Sequence, residues 1–194
     1  MNHKGPHIRP ATLDDVDSIV HVVEAAHHDL LSEEERSRLG YVHSPFTEET
    51  VSAWLEDRTA SALVCTIGRD ETVVGVVFLS QSVPDTDQFH FVRRTIAESP
   101  DLIDQGYLVV GPVVVADKWT GKGLGCMLMA GAQQIAQSNQ RGFLVTFSED
   151  ANTAATRFHT RLQAVILGHF LYEGEGFSVY ALAADTPIEC GPSA

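Results

Sequence analysis

Three glycines fall within five positions in Trp119-Thr120-Gly121-Lys122-Gly123-Leu124-Gly125, directly after a valine-rich run and directly before a helical pattern. Glycine lets a backbone turn tightly and approach a ligand, while the free N–H groups and dipole at a helix start favour negative charge. The chemistry suggested is phosphate or pyrophosphate binding, with a purely structural turn as the alternative. A P-loop requires Gly, four residues, then Gly-Lys-Ser/Thr. Here Ala116 stands at the first glycine position and Gly123 follows Lys122. A dinucleotide fingerprint requires its third glycine where Cys126 stands, and an acidic ribose partner that is not convincingly present.

A second group lies downstream, Asn152-Thr153-Ala154-Ala155-Thr156-Arg157-Phe158-His159. On its residues alone it reads as an N-cap Asn followed by an apolar helix face. The stretch Val113–Leu128 resembles the acetyl-CoA-binding motif of the GNAT N-acetyltransferase superfamily, Arg/Gln-x-x-Gly-x-Gly/Ala. Thr120 replaces the Arg or Gln, and Asp117 replaces a frequent Pro. The downstream group is similar to that family's Asn-x-x-Ala-x-x-Phe-Tyr, with His159 in place of the Tyr. The two motifs occur in family order, and the resemblance also takes in the Ile8–Ala11 entry and the Ala62–Leu79 hairpin.

The resemblance implies acetyl-CoA as co-substrate and direct attack of a primary amine on its thioester in a ternary complex. It implies backbone contacts from Val113 and Val115 to the pantetheine, with Val115 the best candidate oxyanion donor. Thr120, Gly121, Lys122, Gly123, Leu124 and Gly125 would cradle the pyrophosphate. Asn152 would contact the coenzyme arm, and Phe158 would pack in the core. The general acid falls on His159, whose imidazole, with an ordinary pKa near 6.5, would shuttle a proton at neutral pH; solvation on a helix surface is its other reading. The acceptor would be a small-molecule or peptide amine, and a homodimer is common in the family.

A base is harder to identify, since the valine-rich strand carries no carboxylate. Glu149, with Asp150 beside it, follows the next strand and could take a proton through a water, or could simply solvate a loop. His27, His28 and His43 lie where the family shapes its acceptor site, without metal-ligand spacing, so no metal is expected. Cys126 reads as a small packing residue. Two other functions compete: a non-catalytic acyl-CoA-binding or regulatory domain, and a nucleotide-binding domain that prefers ATP or NAD.

These residues need a scaffold. His7–Pro10 reads as a strand, and Thr12 with Asp15 as a capping box before a helix. A second helix is expected from Thr47. Ala62–Ile67 and Thr72–Leu79 form a hairpin, and a helix lies inside an insertion spanning 81–106. Tyr107–Val115 is a central strand in which Pro112 demands a bulge or splaying. A helix to about Ser138, the strand Gly142–Phe147, the helix Asn152–Leu162, and strands Ala164–Tyr172 and Gly176–Ala183 complete the order. Leu162-Gln163-Ala164 replaces the family's usual Gly-Phe ending, so the last strands are expected to be arranged differently. The fold class is mixed α/β (α+β), a single GNAT-like domain over 1–194 with a mostly antiparallel mixed sheet of about six or seven strands flanked by helices. Residues 185–194 read as a loose tail.

Composition bounds the rest. The 194 residues, 44% hydrophobic and 20% charged, suit one folded domain. With 13 Lys and Arg against 26 Asp and Glu, the net charge of −13 disfavours nucleic acid and mildly favours a cationic acceptor. Three cysteines, Cys65, Cys126 and Cys190, predict no disulfide framework and a reducing compartment. No secretory pattern opens the chain, and the longest apolar run, Leu108–Ala116, is too short to span a bilayer, so a cytoplasmic protein without membrane contact is expected.

Overall fold

The computed structural model describes residues 5–188. One seven-stranded sheet runs in the order β1-β2-β3-β4-β5-β7-β6. Its strands are β1 (His7–Pro10), β2 (Ala60–Ile67), β3 (Thr72–Ser80), β4 (Tyr107–Val115), β5 (Phe143–Glu149), β6 (Val165–Tyr172) and β7 (Glu175–Ala183). Neighbours are antiparallel except β4 and β5. A parallel pair needs a crossover, and α6 (Leu124–Ser138) supplies it.

Period-two alternation divides the strand residues between two layers. Leu63, Cys65, Val77 and Leu79 pack with Leu124, Leu128, Ala132 and Ala136 of α6. The i, i+4 spacing of those four residues puts them on one helix face. Ala62, Val64, Val76 and Phe78 face the other way, toward α1 (Val16–Glu24) and α3 (Glu48–Glu56). Along the same sheet, Val109, Val145, Val179 and Ala181 are covered by α4 (His90–Ala97) and α5 (Pro100–Gln105). Where one helix was expected within 81–106, the chain forms two short ones that cover this part of the sheet. Pro100 opens α5, where its missing N–H costs nothing.

Local signals hold at the expected places. Thr12 donates its backbone N–H and its hydroxyl to Asp15, at 2.8 and 3.1 Å. Arg9 grips the same carboxylate with two bonds of 2.7 Å, which holds Asp15 below the usual carboxylate range. Thr47 caps α3. The sequence reading missed α2 (Glu33–Leu39), which has no buried residue; its short polar run carries no apolar periodicity, only the Ser32–Glu35 capping box. Against the expectation of no disulfide framework, Cys126 is disulfide-bonded, while Cys65 is free and buried. Of the expected loose tail, residues 189–194 lie outside the described residues. Among the described residues, no helix is long and apolar enough to cross a membrane.

Two irregularities shape the centre of the sheet. Val110 pairs with Leu79 and Val113 with Val77, so Gly111 and Pro112 stand opposite Phe78 alone, in the expected bulge. β4 and β5 are registered only from Tyr107↔Phe143 to Val109↔Val145. Beyond that point β4 continues beside β3, and β5 continues beside β7 to Glu149. The two strands part as a wedge.

Candidate active site

The wedge opens a cleft of about 1050 Å³, lined by the far half of β4, the glycine turn, α7 (Thr153–Arg161), the end of β5 and the chain between α2 and α3. β4 meets it with backbone. The Ala116 N–H donates to the Val74 carbonyl at 2.9 Å, toward β3. Alternation then turns the Val113 and Val115 N–H groups to the opposite edge, where β5 has left the ladder. Both residues line the cleft. A buried edge of this kind is a hydrogen-bonding surface awaiting a partner.

The glycine turn adjoins that edge. Gly121 and Gly123 hold φ of +76° and +80°, and Gly123 is the N-cap of α6. The first bond of the helix is Met127 N–H to Gly123 C=O at 3.0 Å, so the N–H groups of Gly123, Leu124 and Gly125 precede the ladder. Thr120, Gly121, Gly123, Leu124 and Gly125 line the cleft. Leu124 does so while its side chain is buried in the core. Lys122 is not among the lining residues: its ammonium sits over the Trp119 ring, 4.2 Å from the centroid. A Cβ on Gly125 would meet the Phe158 ring at 3.3 Å, so this glycine permits the contact between α6 and α7.

On α7 the Asn152 side chain is buried; its Oδ1 accepts from Ala155 N–H at 3.2 Å and its Nδ2 donates to Tyr41 C=O at 3.1 Å. It borders the cleft and ties α7 to the chain after α2. His159 also borders the cleft, but it is buried and stacked on Tyr180 with centroids 4.4 Å apart. Burial pushes its pKa down to about 4. At neutral pH the ring is therefore uncharged, and the imidazolium shuttle expected from an ordinary histidine is not available there.

The β5 end of the cleft is built from side chains. Glu149, with its side chain 10% exposed, accepts through Oε2 from Tyr41 Oη at 2.9 Å and from His43 Nε2 at 2.7 Å. Tyr41 and His43 reach it together because Val42 is extended: its N–H donates to Ala26 C=O and its C=O accepts from His28 N–H. Alternation places the residues on either side of Val42 on one face. Burial, and then the bond to Glu149, push the Tyr41 hydroxyl pKa up, so it remains a donor. His28 stacks on His43 at 4.7 Å and meets Tyr41 edge-on at 5.0 Å. Since a guanidinium only donates, the 3.1 Å contact from Arg36 makes His28 Nε2 an acceptor and leaves its proton on Nδ1, toward Asp29. Asp150 is directed elsewhere, accepting from Ser178 Oγ at 2.6 Å. The sequence reading paired none of Tyr41, His43 and Glu149; the Tyr-x-His spacing after Gly40 was the available signal.

The arrangement fits an extended anionic ligand. The glycine turn presents N–H groups to a phosphate, β4 offers an open strand edge to an amide-bearing arm, and the ionisable side chains gather beyond it.

A model of the acetyltransferase (GNAT) family matches residues 25–164. No curated protein sequence matches the chain. Among solved structures, the chain resembles yncA of Salmonella typhimurium, solved with its cofactor acetyl-CoA, at TM-score 0.64 and 18% identity over 94% of this chain and 95% of that one. An N-acetyltransferase from Staphylococcus aureus Mu50 matches at TM-score 0.65 and 16% identity, covering 94% and 100%. The ribosomal-protein-S18-alanine N-acetyltransferase of Escherichia coli matches at TM-score 0.62 and 13% identity, covering 93% and 94%.

Proposed function

The chain belongs to the acetyltransferase (GNAT) family, which uses acetyl-CoA, and from that premise we propose that it moves the acetyl group to a primary amine by direct attack in a ternary complex. When bound, the coenzyme supplies the acetyl group as a thioester. The Gly121–Gly125 turn holds its pyrophosphate through backbone N–H groups, and Val113 holds its pantetheine arm. Val115 N–H donates to the carbonyl oxygen as negative charge develops there. Thr120 stands beside this cradle, Lys122 contributes charge from its Trp119 platform, and Asn152 shapes the arm's path from the α7 cap. Glu149 draws the cationic amine to the far end of the cleft. His159 acts from the wall of the cleft as a neutral N–H donor. The enzyme is taken to be a single domain working in the cytoplasm. A homodimer through edge strand β6 is supported by its exposed apolar Val165, Ile166 and Leu171; sedimentation tests it.

The observation that carries this reading is that one cleft unites the β4 edge, the glycine turn and Glu149. Thermal unfolding with acetyl-CoA, CoA, ATP and NAD tests the binding half: a ligand at 100 times its Kd stabilises by about 2.7 kcal/mol. Thiol release from acetyl-CoA with a panel of amines tests the chemistry. A shift with CoA species together with amine-dependent thiol release is expected. A CoA shift with no turnover on any amine favours the non-catalytic acyl-CoA binder, and a larger shift with ATP or NAD defeats the reading.

A further inference from the structure

The acceptor side contains a pair that resemblance did not supply. His43 Nε2 lies 2.7 Å from Glu149 Oε2, a carboxylate that also accepts from Tyr41 at 2.9 Å. A carboxylate in this position only accepts, so Nε2 carries the proton and Nδ1 carries the lone pair. Among the described residues, Nδ1 makes no hydrogen bond. The His43 side chain is 51% exposed whereas that of Glu149 is 10% exposed. Within the pair, the imidazole is the group open to both the cleft and the solvent, and the carboxylate is the group already engaged.

We propose, building on the acetyltransfer reading, that His43 is the group that deprotonates the acceptor amine and that Glu149 is its positioning residue. An N–H bond of the ammonium breaks and a proton bonds to Nδ1, leaving the nitrogen lone pair free for attack. His43 becomes an imidazolium paired with the Glu149 carboxylate, then releases the proton to water across its exposed side. The chemistry matches the residue type. An imidazole titrates close to neutral pH, where a general base is most efficient, whereas a carboxylate ordinarily titrates more than two units lower.

The surroundings hold the ring in this role. His27 Nε2 bonds to the His43 carbonyl at 3.0 Å, and His28 stacks on the ring at an interplanar angle of 29°. The ionisable groups around the ring are Glu149 on β5, Tyr41, His28 held by Arg36, Asp29, and Glu175 on β7 near Tyr41.

The test is thiol release from acetyl-CoA, followed across about pH 5.5 to 9, with an amine that the wild-type protein accepts. His43→Gln is expected to lower kcat/KM at neutral pH by about 100-fold, the low end of general-base contributions, and to abolish the acidic limb of the profile. Its thermal shift with CoA should match wild type, which separates loss of chemistry from loss of fold. In His43→Ala, added imidazole should restore part of the rate, which a structural role for His43 would not produce. Glu149→Gln should keep the ring in place but displace the acidic limb, because the imidazolium loses its counter-charge. A fall of less than threefold in His43→Gln with an unchanged limb, or no imidazole rescue, overturns His43 as base while leaving the acetyltransfer reading intact. A wild-type protein that releases thiol with no amine overturns both.

Discussion

At the end of the cleft proposed for the coenzyme, the groups presented are backbone N–H groups from one run of chain, Val113 to Gly125. At the β5 end they are side chains brought together from separate stretches: Tyr41 and His43 after α2, and Glu149 at the end of β5. The first end depends on φ and ψ, and tolerates changes of side chain that leave the turn alone. The departures of Thr120 and Asp117 from the family pattern fall there, and Gly123 still caps α6 with its positive φ. The second end depends on three particular side chains meeting on one oxygen, so a change of residue type removes a function outright. The first should control affinity for the coenzyme and the second the rate.

The largest expected effect breaks the backbone end. Gly123 holds φ of +80° at the cap of α6, a conformation that costs an L-residue roughly 1–2 kcal/mol and a β-branched one more. Gly123→Val should relieve that strain by moving the turn, which scatters the N–H groups of Leu124 and Gly125. Calorimetry should show acetyl-CoA binding weakened about 100-fold, or roughly 2.7 kcal/mol, with the unliganded protein still folded. An unchanged affinity would mean that the turn is structural only, and the contrast between the two ends would collapse.

The same contrast explains what could be read from the chain. The turn was legible because a backbone cradle needs glycines at close spacing, and Gly121, Gly123 and Gly125 are local in sequence. The bulge at Pro112 was legible because a proline inside a strand has few accommodations. The carboxylate–tyrosine–histidine cluster was not, since Glu149 lies more than 100 positions from Tyr41 and His43 and only the pairing of Val42 with Ala26 and His28 aims those two at it. α2 left no apolar period to detect, because none of its residues is buried. The charge state of His159 was misjudged for a related reason: its motif position was visible, but the burial against Tyr180 that strips its charge depends on β7, a strand later in the chain.

A second effect tests that burial. The His159 pKa is pushed down to about 4, against about 6.5 when unfolded. Between those values the unfolded chain holds a proton that the folded chain does not. Stability from this group is therefore complete above about pH 6.5 and is lost as pH falls toward 4, by up to about 3 kcal/mol. His159→Phe, which keeps a ring on Tyr180, should flatten the fall in melting temperature across that window. It should add no new limb to the rate profile near neutral pH, since the native ring is already neutral there. A variant that retains the full acid sensitivity would place its origin in other groups, and the ring would have to be accessible after all.

The smallest effect sharpens the side-chain end. Tyr41 supplies one of the two hydrogen bonds on Glu149 Oε2, and its raised pKa keeps it a donor throughout the working range. Tyr41→Phe removes that bond without emptying the site, so Glu149 keeps His43 but is itself held less firmly. A neutral donor on a carboxylate is worth on the order of 1 kcal/mol, which corresponds to roughly a fivefold change in rate. The expected outcome is a drop of that size in kcat with the KM for acetyl-CoA unchanged, because nothing in the Gly121–Gly125 cradle touches this hydroxyl. Should the KM for acetyl-CoA rise instead, the bond from Asn152 to the Tyr41 carbonyl would be the route. That result would make α7 a mechanical link between the two ends, and the division of labour between affinity and rate would hold only as far as that helix stays fixed.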